Sequence, residues 1–256
     1  MIAFLGNSIL YFNDCPRLVA QMLGTEQDSC LRGGATLTTL WEKGNGMQDK
    51  FGEDFGAASP KDLLEQRTWE FVVMNDYTKH PARRETRDET IKTLQRHYLP
   101  LLSPDTTLIF VQTAPYKHVG MRGSEDLGMD FARLLLEGYH EYKTVVEAAG
   151  VPCRIAPFGL AMESLRDTRY WDTLFAPDDF HPSAHGTWLE ACTICCAITG
   201  QEPPRYHDHW WESSRYRQPP EQDLCRTPTS SEAEELRQVA IRVCRNEGLL
   251  TGNSNL

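Results

Sequence analysis

Two short segments, far apart in the chain, carry groups that together make an activated nucleophile. Near the beginning, Gly6-Asn7-Ser8 follows directly on the apolar run at residues 2–5. A strand that ends in a tight turn puts a serine hydroxyl at the lip of a sheet, where the first amides of a following helix can stabilise an oxyanion. The same serine also suits a helix N-cap, which is the commoner use of serine after a turn. Much later, Asp178-Asp179-Phe180-His181-Pro182 sets a carboxylate three positions before a histidine. Pro182 keeps this segment out of a helix interior. In such a turn the acid reaches the imidazole and fixes its tautomer, leaving the other ring nitrogen to take a proton from a hydroxyl. Asp179, only two positions before His181, is the adjacent carboxylate and would point differently from Asp178 if the local chain is extended. The chemistry this implies is acyl transfer, with Ser8 as nucleophile and His181 as base.

Other reactive side chains invite rival readings. His181, His185, His207 and His209, with Asp178 and Asp179, could gather around a divalent metal, and some of their spacings suit ligands. No H-E-x-x-H occurs, His181 and His185 straddle a proline-containing turn, and the serine scheme already uses the D-x-x-H element. No metal and no organic cofactor is expected. Cys192, Cys195 and Cys196 lie in the apolar run at residues 188–198 and are read as parts of a core helix, where cysteine packs as a small hydrophobe. Eight cysteines spread over a chain with its own core do not call for a disulfide framework, so free thiols are expected.

The elements that must position these groups follow from the apolar pattern. The chain has 256 residues, 40% of them apolar, enough for one substantial core. Continuous apolar runs at residues 2–5, 71–74 and 108–111, with a weaker one at 152–158, read as strands covered on both faces. Between them, helical spacing recurs at Leu18, Val19, Met22 and Leu23, at residues 84–98, and at residues 131–149 before Gly150. The order is βαβαβαβ, which implies an α/β fold with a mostly parallel sheet and ligand-binding loops after the strand ends. Residues 113–128, with three glycines, follow one such strand and read as a lid. Trp41, Tyr116, Phe158, Trp171 and Phe175 fall in or near connecting loops, where each either lines a pocket or simply packs locally. Residues 1–200 form the main unit. Residues 201–256 are an arm rich in Pro, Arg, His and Trp, then a helix opened by a Ser231/Glu234 capping box with Leu236, Val239, Ala240 and Val243 on one face. The last six residues, 251–256, are expected to fray.

The formal net charge of −10 excludes broad contact with nucleic acid or an anionic membrane, since both need a positive field. No segment reads as a signal peptide or reaches transmembrane length, so a cytoplasmic protein without membrane insertion is expected. The oligomeric state is not legible.

Four separated blocks resemble the SGNH or GDSL-like hydrolases: Phe4-Leu5-Gly6-Asn7-Ser8, LRGGATL at 31–37, FVVMND at 71–76, and Asp178-Asp179-Phe180-His181-Pro182. The likeness spans roughly residues 2–200 and implies a three-layer α/β/α sandwich of the flavodoxin-like SGNH type. It also implies roles: Ser8 as nucleophile and first oxyanion donor through its own N–H, Gly34 or its neighbour Gly33 as the second amide donor, and the Asn75 carboxamide as the third. Asp178 and His181 complete the triad. Two positions depart from the family pattern: Asn7 where aspartate is frequent, and Val73 where a glycine is usual.

The expected function is hydrolysis of a carboxylic ester through an acyl-serine, with a small acyl group such as acetyl and a small-molecule ester as partner. Two alternatives use the same residues differently. An acyltransferase would pass the acyl group to an alcohol in place of water, and a binding protein would keep the fold without the chemistry.

Overall fold

A computed structural model describes residues 1–211, 215 and 226–250. Its elements run β1 (Ile2–Gly6), α1 (Ser8–Tyr11), α2 (Cys15–Leu23), β2 (Gln27–Leu31), α3 (Leu37–Lys43), α4 (Pro60–Glu65), β3 (Phe71–Met74), α5 (Arg84–Thr93), β4 (Thr107–Val111), α6 (Phe131–Ala148), β5 (Cys153–Ala156), α7 (Phe158–Glu163), α8 (Ala184–Thr199) and α9 (Ser230–Asn246). The strands lie in the order β2-β1-β3-β4-β5 with every neighbouring pair parallel.

Alternation along the strands divides the core into two layers. Ile2, Phe4, Val73, Ile109 and Val111 face one cluster with residues of α1, α2, α7, α8 and α9. Ala3, Leu5, Val72, Met74, Leu108 and Phe110 face the other, with α3, α4 and α6 and with Leu94 and Tyr98. The architecture is thus the expected three-layer α/β/α sandwich. Because both sheet faces are covered, the strands carry apolar residues without polar alternation.

Four details differ from the sequence reading. The sheet has a further strand, β2, among the described residues; its sequence Gln-Asp-Ser-Cys-Leu contains only two apolar residues, because an edge strand pairs on one side and its first half is incompletely buried. Helices α3 and α4 are short and carry no apolar stripe long enough to register as periodic. The helix expected at 84–98 is α-helical to Thr93 and continues as a π turn over Leu94–Tyr98. The capping box of α9 is Thr229 with Glu232, two residues before the expected pair, and both reciprocal hydrogen bonds are present. The expectation of fraying at 251–256, and most of the arm, lies outside the described residues.

Helix α8 is the buried axis of one layer. Every residue from Ala184 to Ile198 is buried, including Cys192, Cys195 and Cys196, and the seven described cysteines are free thiols. Glu190 lies on this helix, fully buried and with no hydrogen-bond partner among the described residues, and burial pushes its carboxyl well above the usual range. Helix α9 covers α8 from outside, where the Trp188 indole donates to the carbonyl of Ala233 at 2.8 Å. No helix among the described residues is long and apolar enough to cross a membrane.

Candidate active site

Ser8 stands two residues beyond the end of β1, and the residue between them, Asn7, caps α1. The Asn7 Oδ1 accepts the Ile9 N–H at 3.2 Å, so the cap role open to Ser8 in the sequence falls to its neighbour. Ser8 occupies the first helical position, where a backbone N–H has no intrahelical acceptor, and its hydroxyl is free of capping duty. Asn7 also donates from Nδ2 to the Ala35 carbonyl at 2.9 Å. That bond accounts for asparagine in place of the frequent aspartate, since a carboxylate would set oxygen against oxygen in a buried site.

Asn75, directly after β3, is wholly buried and locks this turn from behind. Its Oδ1 accepts the Asn7 N–H at 3.1 Å, and its Nδ2 donates to Asn7 Oδ1 at 2.9 Å. Gly6 is required here because a Cβ at that position would lie 1.8 Å from Asn75 Oδ1. The resemblance gives Asn75 as an oxyanion donor; in the structure its carboxamide is engaged with Asn7, and it is not among the residues lining the cleft. The neighbouring Asp76, whose role the sequence left open, is a buried hub. It accepts the N–H groups of Leu37 and Tyr77 on Oδ1 and the hydroxyls of Thr90 and Tyr142 on Oδ2.

The second half of the site comes from the turn before α8. His181 Nε2 lies 2.8 Å from Ser8 Oγ, and His181 Nδ1 lies 2.6 Å from Asp178 Oδ2. With Nδ1–H donating to Asp178, Nε2 is left to accept from the serine hydroxyl. Asp178 Oδ1 also accepts the N–H groups of Phe180 and His181, at 3.1 and 3.0 Å. Partial burial of Asp178 would by itself raise its pKa, but these hydrogen bonds and the nearby imidazole outweigh it and hold the carboxyl at about 2. Asp179, one residue on, has φ +56° and turns the other way. It pairs with Lys117 at 2.6 Å and His118 at 3.5 Å, both from the 113–128 segment.

Phe12 and Asn13, which the sequence reading did not single out, fix the histidine from the nucleophile side. The Phe12 ring stacks on the imidazole with centroids 3.8 Å apart and planes 11° from parallel. Asn13 Nδ2 donates to the Pro182 carbonyl and to Thr187 Oγ1, at 3.2 and 2.9 Å. Asn13 and Asp14 both have positive φ, at +50° and +54°. The sequence signal was present, since Asn and Asp are the residues that most readily accept the left-handed region.

Ser8 and His181 open onto a cleft of about 360 Å³, whose wall also includes Gly33, Gly34, Tyr11, Phe12, Tyr77, Thr78, Phe180 and Arg122. Gly33 and Gly34 follow β2, and neither N–H meets a backbone carbonyl among the described residues. Of the five aromatic residues suggested by the sequence none lines this cleft; Trp41 packs on His97 and Tyr98, and Trp171 on Phe175. Tyr116, Phe158 and Phe175 instead wall a hollow of about 10 Å³ behind Phe180. A larger hollow of about 520 Å³ lies at the other end of the sheet, around Gly24, Asp28 and Trp69. No serine, cysteine or histidine among the described residues lines it, so of these two it is the smaller cleft that holds a serine and a histidine within hydrogen-bond distance. The other histidines are held elsewhere: His185 lies 3.5 Å from Glu232, and His207 and His209 pack around Trp210.

The whole chain superposes on a DUF4886 family protein from Bacteroides uniformis, with a TM-score of 0.71, 15% identity and 98% of that chain covered. It also superposes, over 76% of its length, on a candidate SGNH hydrolase from Slackia heliotrinireducens, with a TM-score of 0.55, 24% identity and 96% of that chain covered. What is shared is the fold. No protein-family model matches the chain, and no curated protein does. The switch point of the sheet lies at β1, with β2 on one side and β3 on the other. The cleft opens beyond the ends of these strands, where open α/β sheets place their ligands.

Proposed function

We propose that the chain is a serine hydrolase of the SGNH type that cleaves carboxylic esters bearing a small acyl group. The observation that carries this reading is the unbroken run of contacts from Ser8 Oγ to His181 Nε2 at 2.8 Å and from His181 Nδ1 to Asp178 at 2.6 Å. Ser8 Oγ attacks the ester carbonyl as its proton passes to Nε2, while the ionised Asp178 steadies the imidazolium. The N–H groups of Ser8 and of Gly33 or Gly34 meet the oxyanion. Each such donor contributes about 3 kcal/mol to the transition state. The Asn75 carboxamide holds the turn that aims Ser8, donating from Nδ2 to Asn7 Oδ1 at 2.9 Å and to the Asp76 carbonyl at 3.5 Å; as the third oxyanion donor that the resemblance implies, it would exchange the longer of these bonds for the oxyanion. His181 then hands the proton to the departing alcohol. Water enters with His181 as base and releases the acid.

One volume supports a short acyl chain. The apolar hollow behind Phe180 is about 10 Å³, room for about one water and not for an alkyl tail.

The test is labelling by a small serine-directed organophosphonate together with turnover of 4-nitrophenyl acetate. Wild-type protein is expected to label on Ser8 and to hydrolyse the ester. Ser8→Ala is expected to stay folded, fail to label and lose on the order of 10⁴-fold or more in kcat. A folded wild-type protein that neither labels nor turns over esters overturns the reading.

A further inference from the structure

Among the described residues that wall the cleft stands one arginine, a positive charge in a chain of net −10. Arg122 reaches the cleft from the 113–128 segment after β4. It stacks over the Phe180 ring with its guanidinium carbon 3.9 Å from the centroid, and Phe180 in turn stands edge-on to His181 with centroids 4.5 Å apart. Among the described residues no carboxylate pairs with this guanidinium and none lines the cleft. The other arginines of the region differ: Arg83 is paired with Asp126, and Arg166 with Glu163.

The backbone that carries Arg122 is held in an unfavourable conformation by specific contacts. Its φ is +52°, the left-handed region that a long side chain seldom occupies. Lys79 Nζ donates to the Arg122 carbonyl at 2.5 Å, and Arg83 donates to the Gly123 carbonyl at 2.7 Å. Strain held in place by surrounding contacts concentrates at ligand clamps and active sites. Stacking uses the face of the guanidinium and leaves its in-plane N–H groups directed outward. This planar fork matches the two oxygens of a carboxylate.

From this placement we infer that the substrate is an ester that carries a carboxylate, bound by the Arg122 guanidinium above the Ser8–His181 pair. The inference rests on the hydrolase reading and names the substrate class of that same cleft. The carboxylate belongs either to the acyl part or to the alcohol part, and each has its own arm in the test.

On the acyl side, 4-nitrophenyl hemisuccinate is compared with 4-nitrophenyl butyrate. On the alcohol side, 4-acetoxybenzoate is compared with its methyl ester. Wild-type protein is expected to favour the charged member of one pair by about tenfold or more in kcat/KM, the scale of a hydrogen bond to a charged group. Arg122→Met is expected to remove that ratio and Arg122→Lys to keep part of it. A binding arm is independent of turnover: Ser8→Ala should bind N-phenylsuccinamate more tightly than N-phenylbutyramide, or benzoate more tightly than benzamide. That preference should be absent in Ser8→Ala/Arg122→Met. Charged-to-neutral ratios that are equal with and without Arg122, in both turnover and binding, overturn the inference while leaving neutral-ester hydrolysis intact. Absence of turnover with every ester overturns the hydrolase reading instead, and the binding arm still decides the role of Arg122.

Discussion

The two halves of the site are held by different physics. The turn bearing Ser8 is fixed by neutral amide bonds with no access to solvent: Asn7 and Asn75 are 2% and 0% exposed, and two hydrogen bonds join them. The turn bearing His181 is fixed by charged groups nearer the surface, with the side chains of Asp178 and Asp179 31% and 40% exposed. Buried neutral bonds are insensitive to salt and costly to break. Exposed ionic contacts are individually weak, screened and adjustable. Ser8 is therefore set by the fold, whereas His181 sits where pH, salt and the 113–128 segment can reach it.

The largest expected effect separates the two adjacent carboxylates of the base turn. Asp178→Asn removes the acceptor that fixes the His181 tautomer and is expected to lower kcat by up to about 10⁴-fold. Asp179→Asn breaks only the contact with Lys117 and His118 and should cost far less. The measurement is kcat/KM on both purified variants after circular dichroism shows them folded; the reverse ranking would move the orienting role to Asp179. A second readout follows from linkage. The carboxyl of Asp178 sits at about 2 in the fold against about 4 unfolded, so the stability it adds is present above pH about 4 and is lost between about 4 and 2. The Asn variant should show a shallower fall of Tm across that interval.

A smaller effect on activity, but a larger one on stability, is expected on the nucleophile side. Asn75→Ala leaves the buried Asn7 N–H without a partner and removes one of the two donors to Asn7 Oδ1, which keeps the Ile9 N–H. About 2 kcal/mol or more should be lost, or roughly 4–8 °C in Tm. Turnover should fall about 10²-fold, the cost of one oxyanion donor, as the turn that aims Ser8 loosens and the carboxamide is lost. A variant with wild-type Tm would break the contrast between the two halves.

The smallest effect concerns Lys117, whose amine pairs with both Asp172 and Asp179. Burial alone would lower its pKa, but those two carboxylates outweigh it and hold the ammonium charged. Lys117→Met should change kcat/KM by less than about fivefold, as for other partly exposed ion pairs. A salt titration of the wild type should show a shallow decline that the variant lacks. Equal salt dependence in both would show that the latch does not bear on the base.

The candidate Ser8, His181 and Asp178 were legible in the sequence as a combination: a strand-end serine alone has the commoner use of a helix cap, and it is the proline-bounded D-x-x-H far along the chain that pairs with it. The central strands were legible because burial on both faces leaves continuous apolar runs. What was not legible depended on partners distant in sequence. β2 is a strand because it pairs with β1 and not because of its own composition. Phe12 gains its meaning only from stacking on His181, and Arg122 only from reaching the Ser8 cleft. Likewise, nothing near Asn75 in the chain indicates that its carboxamide faces Asn7 across 68 positions.

The covering of α8 by α9 sets the order in which a new chain can become whole. Ser8 leaves the ribosome 173 positions ahead of His181, a delay of roughly 10–35 s at ordinary rates of synthesis. Helix α8 follows at once, yet the helix that shields its outer face begins only at Ser230, some seconds later still. During that interval an apolar helix with three unpaired thiols, Cys192, Cys195 and Cys196, stands incompletely covered beside the sheet. The nascent chain is therefore most open to association with other chains, and to oxidation, in the short time between making its base and making its last helix.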